Sequence, residues 1–321
     1  MPGARRRRFL AGAAAAVVAA SAAAAESREL LRDHRFNHGF GALGAKAEDG
    51  EAGQIRSAGP AGRPDWQVAQ WHSRFGFTNL VAARGQALCV SNEARWLRLE
   101  ATTAGEATLT LGVDSRPEYD GRPRRSAGEP WVHLLVQQAI NGAPSLAETA
   151  SLRLRFEVCL REAATFRPDG YSASLHAAQF QVVLTLNNTR RDSRGFGDYL
   201  WFVVPVYDDR HDLPPEYVAQ DFAVTQGKLI YNPGAAALGL KPMRVGEWQA
   251  VDCELRTWLE RALRTAWSQG YLRDSRDLGD YRVAHINLGW EVPGLNRVAM
   301  DVRGLSLAAT TTERGRRTGS P

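Results

Sequence analysis

The chain of 321 residues is poor in sulfur, with three cysteines and three methionines. Cys89, Cys159 and Cys253 are odd in number and far apart, so at most one disulfide can form, and no pair has zinc-site spacing. Each stands beside apolar residues, as in Leu88-Cys89-Val90, which reads as a buried free thiol. A disulfide-stapled mini-domain is thereby excluded. Gly-x-Ser-x-Gly, His-Glu-x-x-His, a Walker loop and a dinucleotide fingerprint are also missing, which removes serine hydrolases, zincins, kinases and dehydrogenases. No repeat of fixed period is visible, so a propeller or solenoid falls away. The one early uncharged run, Ala11 to Ala25, is mostly alanine and short of the ~20 apolar residues that span a bilayer. No later segment is long and apolar enough, so the mature protein is expected to be soluble, with no stable membrane span after cleavage.

What precedes the alanine run is informative. Arg5, Arg6, Arg7 and Arg8 lead into Phe9 and Leu10. A basic start, a short apolar middle and small residues at a cut site after Ala23 or Ala25 are the layout of an export signal over 1–25. The order Arg6-Arg7-x-Phe9-Leu10 resembles the twin-arginine signal. That resemblance implies the twin-arginine export machinery as a partner and a periplasmic or secreted bacterial destination. Without these residues the formal charge of +5 falls to +1. A mature chain this balanced has no global basic footprint, which disfavours nucleic acid as a partner. The other basic cluster, Arg314, Arg316 and Arg317, sits in a Gly/Thr/Ser tail at 311–321 that is expected to be disordered.

Residues 26–65, rich in Gly, Ala and charge, read as a loosely ordered arm. From Trp66 onward strand alternation dominates, broken by turn-formers such as Asp120-Gly121, Asn141-Gly142, Asp169-Gly170 and Pro293-Gly294. The alternation predicts strands over 68–77, 86–91, 95–101, 106–113, 131–140, 151–160, 173–187, 198–208, 227–232, 281–292 and 297–309. One segment departs from it. Over 251–269, Val251, Leu255, Trp258, Leu259, Ala262, Leu263, Ala266 and Trp267 recur at helical spacing, with Asp252 and Glu254 in the first turn and Gly270 as C-cap. One helix among so many strands predicts an all-β fold: a two-sheet jelly-roll sandwich over 66–310 carrying one long amphipathic helix near 251–269.

Alternate side chains of a strand face opposite sides of a sheet, so each strand divides by parity. In 281–292, Ala284, Ile286, Leu288, Trp290 and Val292 oppose His285, Asn287 and Glu291. In 179–187, Phe180, Val182, Leu184 and Leu186 oppose Gln179, Gln181, Thr185 and Asn187. In 199–207, Leu200, Phe202, Val204 and Val206 oppose Tyr199, Trp201 and Tyr207. In 131–140, Val132, Leu134, Val136 and Ile140 oppose Trp131, His133 and Gln137. Four strands thus offer a greasy face for a core and a second face of amides, imidazoles and aromatic rings. Flat rings stack on the apolar side of a sugar while amides and imidazoles bond its hydroxyls, so Trp131, His133, Gln137, Gln179, Gln181, Asn187, Trp201 and Asn287 are candidate glycan contacts. A face covered by loops, with its polar groups satisfied internally, is the competing reading.

The loop after Tyr207 gathers Asp208, Asp209, Asp212, Glu216 and Asp221. Hard oxygen ligands here could hold a structural calcium through Asp208, Asp209 and Asp212, though the spacing fits no EF-hand and Arg210 can neutralise part of the charge. For catalysis the candidates are His176, His285, Tyr207, Asp208 and Glu291. A glycoside hydrolase needs two carboxylates across one bond, which Glu291 and Asp208 supply only if the fold joins them. A polysaccharide lyase needs a base such as His285 or Tyr207, with Gln179 and Asn187 facing the uronate carboxylate.

The run of strands with a late helix, closed by Asn287-Leu288-Gly289-Trp290-Glu291-Val292-Pro293-Gly294 and a last strand ending Val302-Arg303-Gly304-Leu305-Ser306-Leu307, resembles the jelly-roll domains of bacterial carbohydrate-active proteins. These include carbohydrate-binding modules and concanavalin-like lyases and glucanases. The resemblance implies the fold and a polysaccharide or oligosaccharide partner. The Glu-x-Asp-x-x-Glu strand of laminarinases is missing, and so is the Arg-x-Glu-x-Arg, Gln-Ile-His and Tyr-x-Lys set of alginate lyases, although His176-Ala-Ala-Gln179-Phe180 echoes the middle element. Binding is therefore expected ahead of catalysis. A lyase or hydrolase using His285, Tyr207 or Glu291 is the alternative, and an envelope scaffold without a small-molecule site the second.

Overall fold

A computed structural model describes residues 27–46, 49–57, 62–82, 87–101, 106–221 and 227–312. The expected signal and the tail beyond 312 lie outside these residues. Among them are seventeen strands: β1 (Ser27–Glu29), β2 (Phe40–Leu43), β3 (Glu51–Ser57), β4 (Trp66–Ala69), β5 (Leu80–Ala82), β6 (Leu88–Ser91), β7 (Arg95–Ala101), β8 (Ala107–Asp114), β9 (Val132–Ala139), β10 (Thr149–Phe166), β11 (Gln179–Asn188), β12 (Tyr199–Asp208), β13 (Tyr217–Asp221), β14 (Lys228–Asn232), β15 (Trp248–Glu254), β16 (Tyr281–Val292) and β17 (Leu295–Thr311). One α-helix, α1, spans Arg256–Ser268. It is too short to cross a membrane, and no helix among the described residues is long and apolar enough to do so.

The strands form a two-sheet jelly-roll sandwich. A seven-stranded sheet has the order β15-β10-β17-β8-β7-β6, with β1 paired to the far end of β17, and a ten-stranded sheet has the order β13-β14-β12-β11-β16-β9-β4-β2-β3-β5. Among the passages from one sheet to the other, those at β8–β9, β10–β11 and β16–β17 match the trio 10-17-8 to the trio 11-16-9 strand for strand. The last passage is the Pro293-Gly294 turn, held where Ser115 Oγ donates to the Gly294 carbonyl at 2.7 Å. The long strands β10 and β17 follow the sandwich through three register shifts, at which a bulge bends each pair.

Parity fills the space between the sheets as expected. Phe180, Val182, Leu184, Phe202, Val204, Leu134, Val136, Ile286, Leu288 and Trp290 meet Leu109, Leu111, Val113, Leu154, Phe156, Val158, Val298, Met300 and Val302, all buried. Trp290 joins the layers, its indole N–H donating to the Leu111 carbonyl at 2.9 Å while Phe180 meets its ring edge-on at 5.0 Å. A core tryptophan of this kind is worth about 3–5 kcal/mol against alanine.

Three sequence expectations are corrected. Within 26–65 the described residues form strands where a loose arm was expected: β1, β2 and β3 lie within the sheets, and Phe36, Phe40 and Ile55 are buried beside Trp66, with Phe36 and Trp66 rings 5.0 Å apart. The frequent glycines hid the short alternation Phe40–Ala42. The helix begins five residues later than its pattern, because Val251, Cys253 and Leu255 are buried while Asp252 and Glu254 are exposed, a period of two that continues as β15. Asp252 accordingly pairs with Arg153 at 2.5 Å and does not cap a helix. Leu259, Ala262, Leu263 and Ala266 then bury one helical face, Trp258 and Trp267 pack beside it against the core, and Gly270 at φ +82° follows the end. All three cysteines are free, but Cys89 is exposed on edge strand β6, and only Cys159 and Cys253 are buried.

Candidate functional site

The outer face of the ten-stranded sheet carries the polar parity set, and register fixes its layout. One row reads Gln67, Gln137, Asn287, Val183 and Val203 across β4, β9, β16, β11 and β12. The next reads Ala139, His285, Thr185 and Trp201. On the other side of the first lie Leu135, Gly289, Gln181 and Pro205, then His133, Glu291, Gln179 and Asp208. Directly opposite side chains stand roughly 5 Å apart, so these four rows make one continuous surface. Its floor is apolar and buried at Val183, Val203 and Leu135, while Gln137, Gln179, Gln181, Asn187, Tyr199 and Trp201 are half-buried and His285 is exposed.

Glu291 is the central carboxylate of this surface. Gln181 Nε2 donates to its Oε1 at 2.9 Å and Trp131 Nε1 to its Oε2 at 3.2 Å, so both oxygens are oriented. His133 Nε2 stands 3.8 Å from Oε2. The His133 ring is buried among Trp131, Trp71 and His72, with centroids 5.7, 5.5 and 5.7 Å away. Burial lowers its pKa, more than the Glu291 charge raises it. Trp131 is therefore a holder of Glu291 more than a free platform: its ring also lies under the Arg124 guanidinium at 5.2 Å.

Beneath this cluster lies a buried ion pair. Arg95 Nη2 donates to Glu118 Oε1 at 2.5 Å, and both side chains have no exposure. Arg95 Nη1 reaches the His133 carbonyl at 3.1 Å. Glu118 accepts from Ser73 Oγ and the Arg74 amide, each at 2.7 Å. The pair thus ties the segment carrying Trp71 and His72 to the backbone of β9.

The β12 end differs from its expected parity. A register shift pairs Phe180 with Tyr207 and Gln181 with Pro205, leaving Val206 as the bulged residue. Tyr207 consequently packs edge-on against core Trp290 at 5.8 Å instead of joining the polar rows, and burial, with Asp209 and Asp208 adding to it, pushes its pKa up to about 12. That is a poor setting for the base it was expected to provide. Asp208 moves to the polar side and accepts from Gln179 Nε2 at 2.9 Å. Burial alone would raise its carboxyl, but the two Arg210 bonds at 2.8 and 2.6 Å hold it below the usual carboxylate range.

The acidic loop is likewise occupied by protein donors. Asp209 accepts from Thr165 Oγ1, the Ala178 amide and Asn296 Nδ2 at 2.8–2.9 Å, and Asp212 is exposed. Among the described residues no three His, Cys, Asp or Glu side chains form a metal-ligand group. His176 is buried, its Nδ1 accepting from the Ser172 amide at 2.8 Å and its Nε2 donating to the Arg124 carbonyl at 2.7 Å. It is a structural histidine, away from the surface. His285 keeps only a 3.3 Å contact with Thr185 Oγ1, and partial burial lowers its pKa.

The surface also holds residues that parity reading missed. Gln67 alternates with buried Trp66 and Val68 and receives Gln137 Nε2 at 3.1 Å; starting the strand at 68 lost it. Trp71 and His72 follow the end of β4, where no periodicity marks them. Four buried polar atoms here have no partner: Trp71 Nε1, His133 Nδ1, Asn187 Oδ1 and Trp201 Nε1. Such atoms are rare and costly.

No protein-family model matches the chain, and no curated protein matches it. Among solved structures, an endoglucanase, cel12A, from Rhodothermus marinus is 8% identical, overlapping 71% of this chain and 100% of that one at a TM-score of 0.37. Endoglucanase 3 from family GH12 of Trichoderma harzianum is 12% identical over 71% and 95% at 0.35. The xyloglucanase domain of NopAA, a type three effector from Sinorhizobium fredii, is 10% identical over 70% and 97% at 0.32. Overlaps this remote assign no activity, and the functional reading rests on the side chains described above.

Proposed function

We propose that this chain is an exported carbohydrate-binding β-sandwich protein that recognises a polysaccharide on the outer face of its ten-stranded sheet. The observation that carries the reading is one surface on which Trp201, Tyr199 and Trp71 alternate with Gln67, Gln137, Gln179, Gln181 and Asn287, with unpartnered Trp201 Nε1 and Asn187 Oδ1 among them. An extended row of amides over an apolar floor suits hydroxyls, and half-exposed Trp201, edge-on to Tyr199 at 5.4 Å, offers a ring for stacking. Periplasmic or secreted delivery by the twin-arginine route, read from residues 1–25, is part of the same proposal.

Binding is favoured over cleavage because, among the described residues, Glu291 has no partner acid suited to hydrolysis. Asp208 stands two strands away, about 10 Å across the sheet, and its oxygens are taken by Arg210 and Gln179. The test is retention of Trp201→Ala on insoluble and soluble polysaccharides, with circular dichroism confirming the fold. Retention should weaken roughly fivefold, the counterpart of about 1 kcal/mol of stacking. Unchanged retention overturns the reading. A hydrolase would release new reducing ends, a lyase ultraviolet-absorbing unsaturated ends, and a scaffold would retain no glycan.

A further inference from the structure

The cations bordering the surface are held by protein partners, among them Arg282, which lies in the row of Asn187 and Tyr199 and donates to Thr189 Oγ1 at 3.0 Å. At one end Arg210 is bound bidentately by Asp208; at the other Lys228 is bound by Asp198 and covers Tyr199. Arg95 is buried against Glu118. Arg124 lies behind Trp131, with its donors taken by the carbonyls of Leu175, Ser126, Ala127 and Glu129. Among the described residues no lysine or arginine reaches ion-pair distance of Glu291, whose nearest titratable neighbour is the buried His133. The four rows of the surface contain no lysine or arginine, and burial lowers the pKa of their two histidines, His133 and His285.

We propose that Glu291 sets the charge class of the ligand: the surface accepts uncharged polysaccharide and rejects polymers that carry carboxylate or sulfate groups. The inference rests on the glycan-binding reading and narrows it. An acid group laid over Glu291 meets a like charge with no compensating cation, on an apolar floor that screens poorly. A neutral hydroxyl there finds the opposite, since both carboxylate oxygens are held by Gln181 and Trp131 with lone pairs left to accept. The same geometry removes the cation that a uronate-cleaving site uses to neutralise its substrate.

The experiment compares the full-length protein and Glu291→Gln against a soluble neutral glucan and against polygalacturonate, by affinity electrophoresis at low and high salt. The wild type should bind the neutral polymer with little salt dependence and polygalacturonate weakly. Glu291→Gln should gain roughly tenfold for polygalacturonate relative to the glucan, most strongly at low salt. Because an amide cannot accept both Gln181 and Trp131, Gln137→Glu serves as a second variant. It adds a carboxylate to the next row and should weaken polygalacturonate further. Wild-type binding of polygalacturonate equal to that of the glucan, or an unchanged ratio in both variants, overturns the charge-class proposal while leaving glycan binding standing. Retention of neither polymer by the wild type overturns the glycan reading itself, and this inference with it.

Discussion

Trp131 and Glu291 are 160 positions apart in sequence, yet the indole N–H of one donates to Oε2 of the other at 3.2 Å. Together with Gln181 on Oε1, this bond fixes the plane of the carboxylate above the sheet. Trp131 does not present its ring to solvent as a free plate. It spends its donor on Glu291 and one face on Arg124.

Replacing Trp131 with Phe keeps an aromatic ring beside Arg124 but deletes that donor together with the second ring of the indole. Stability should fall by about 1.5–3 kcal/mol, as for a hydrogen bond to a charged group, measured by urea unfolding. Polysaccharide affinity should fall severalfold as the carboxylate swings free. An unaltered affinity would show that Glu291 needs no such holder.

Arg95 and Glu118 allow a sharper test of energetics. Burial pulls the Arg95 pKa down, with the Glu118 charge and hydrogen bond opposing it, so the pair is desolvated and mutually dependent. Glu118→Gln leaves a buried guanidinium uncompensated and should cost about 3–5 kcal/mol. The double change Arg95→Met with Glu118→Leu removes both charges and should cost clearly less. If the two costs are equal, charge is not what holds the Trp71–His72 segment in place.

His133 gives the pH dependence a direction. Its folded pKa is lowered by burial from 6.5, so folding favours the neutral ring. The contribution is complete above the unfolded value of 6.5 and is lost as pH falls below it toward the folded value. The urea midpoint should therefore drop between pH 7 and pH 5, and His133→Gln should flatten that slope. Asp208, whose folded pKa is depressed from 3.8, adds a separate loss only at more acidic pH. A slope that survives His133→Gln unchanged would assign the transition to another group.

Much of this surface was legible because a strand has a period of two. Parity alone placed Gln137, Gln179, Gln181, Asn187, Trp201, His285, Asn287 and Glu291 on one side, and register then made them neighbours. Where parity failed, a backbone irregularity intervened. The extra residue at Val206 turned Tyr207 toward Trp290 and swung Asp208 to the polar side, and no residue type in Pro205-Val206-Tyr207 announces a bulge. Trp71 and His72 were invisible for a different reason. They reach the site from a loop, and the tie that puts them there is the Arg95–Glu118 pair, whose members are 23 positions apart. The late helix start could have been read, since Val251, Cys253 and Leu255 satisfy the strand period as well as the helical one.

The placement of β16 and β17 carries a consequence for how the protein comes to exist. These last two strands sit in the interior of their sheets, β16 between β11 and β9, and β17 between β10 and β8. Neither layer can zip up while β16 and β17 are still emerging from the ribosome. Assembly has to wait for these two strands, and it must then close loops of well over a hundred residues, a route that topology makes slow. Until that moment the ridges of Val, Leu and Phe on β9, β11 and β12 have no covering partner strand, so the newborn chain needs shielding from its neighbours.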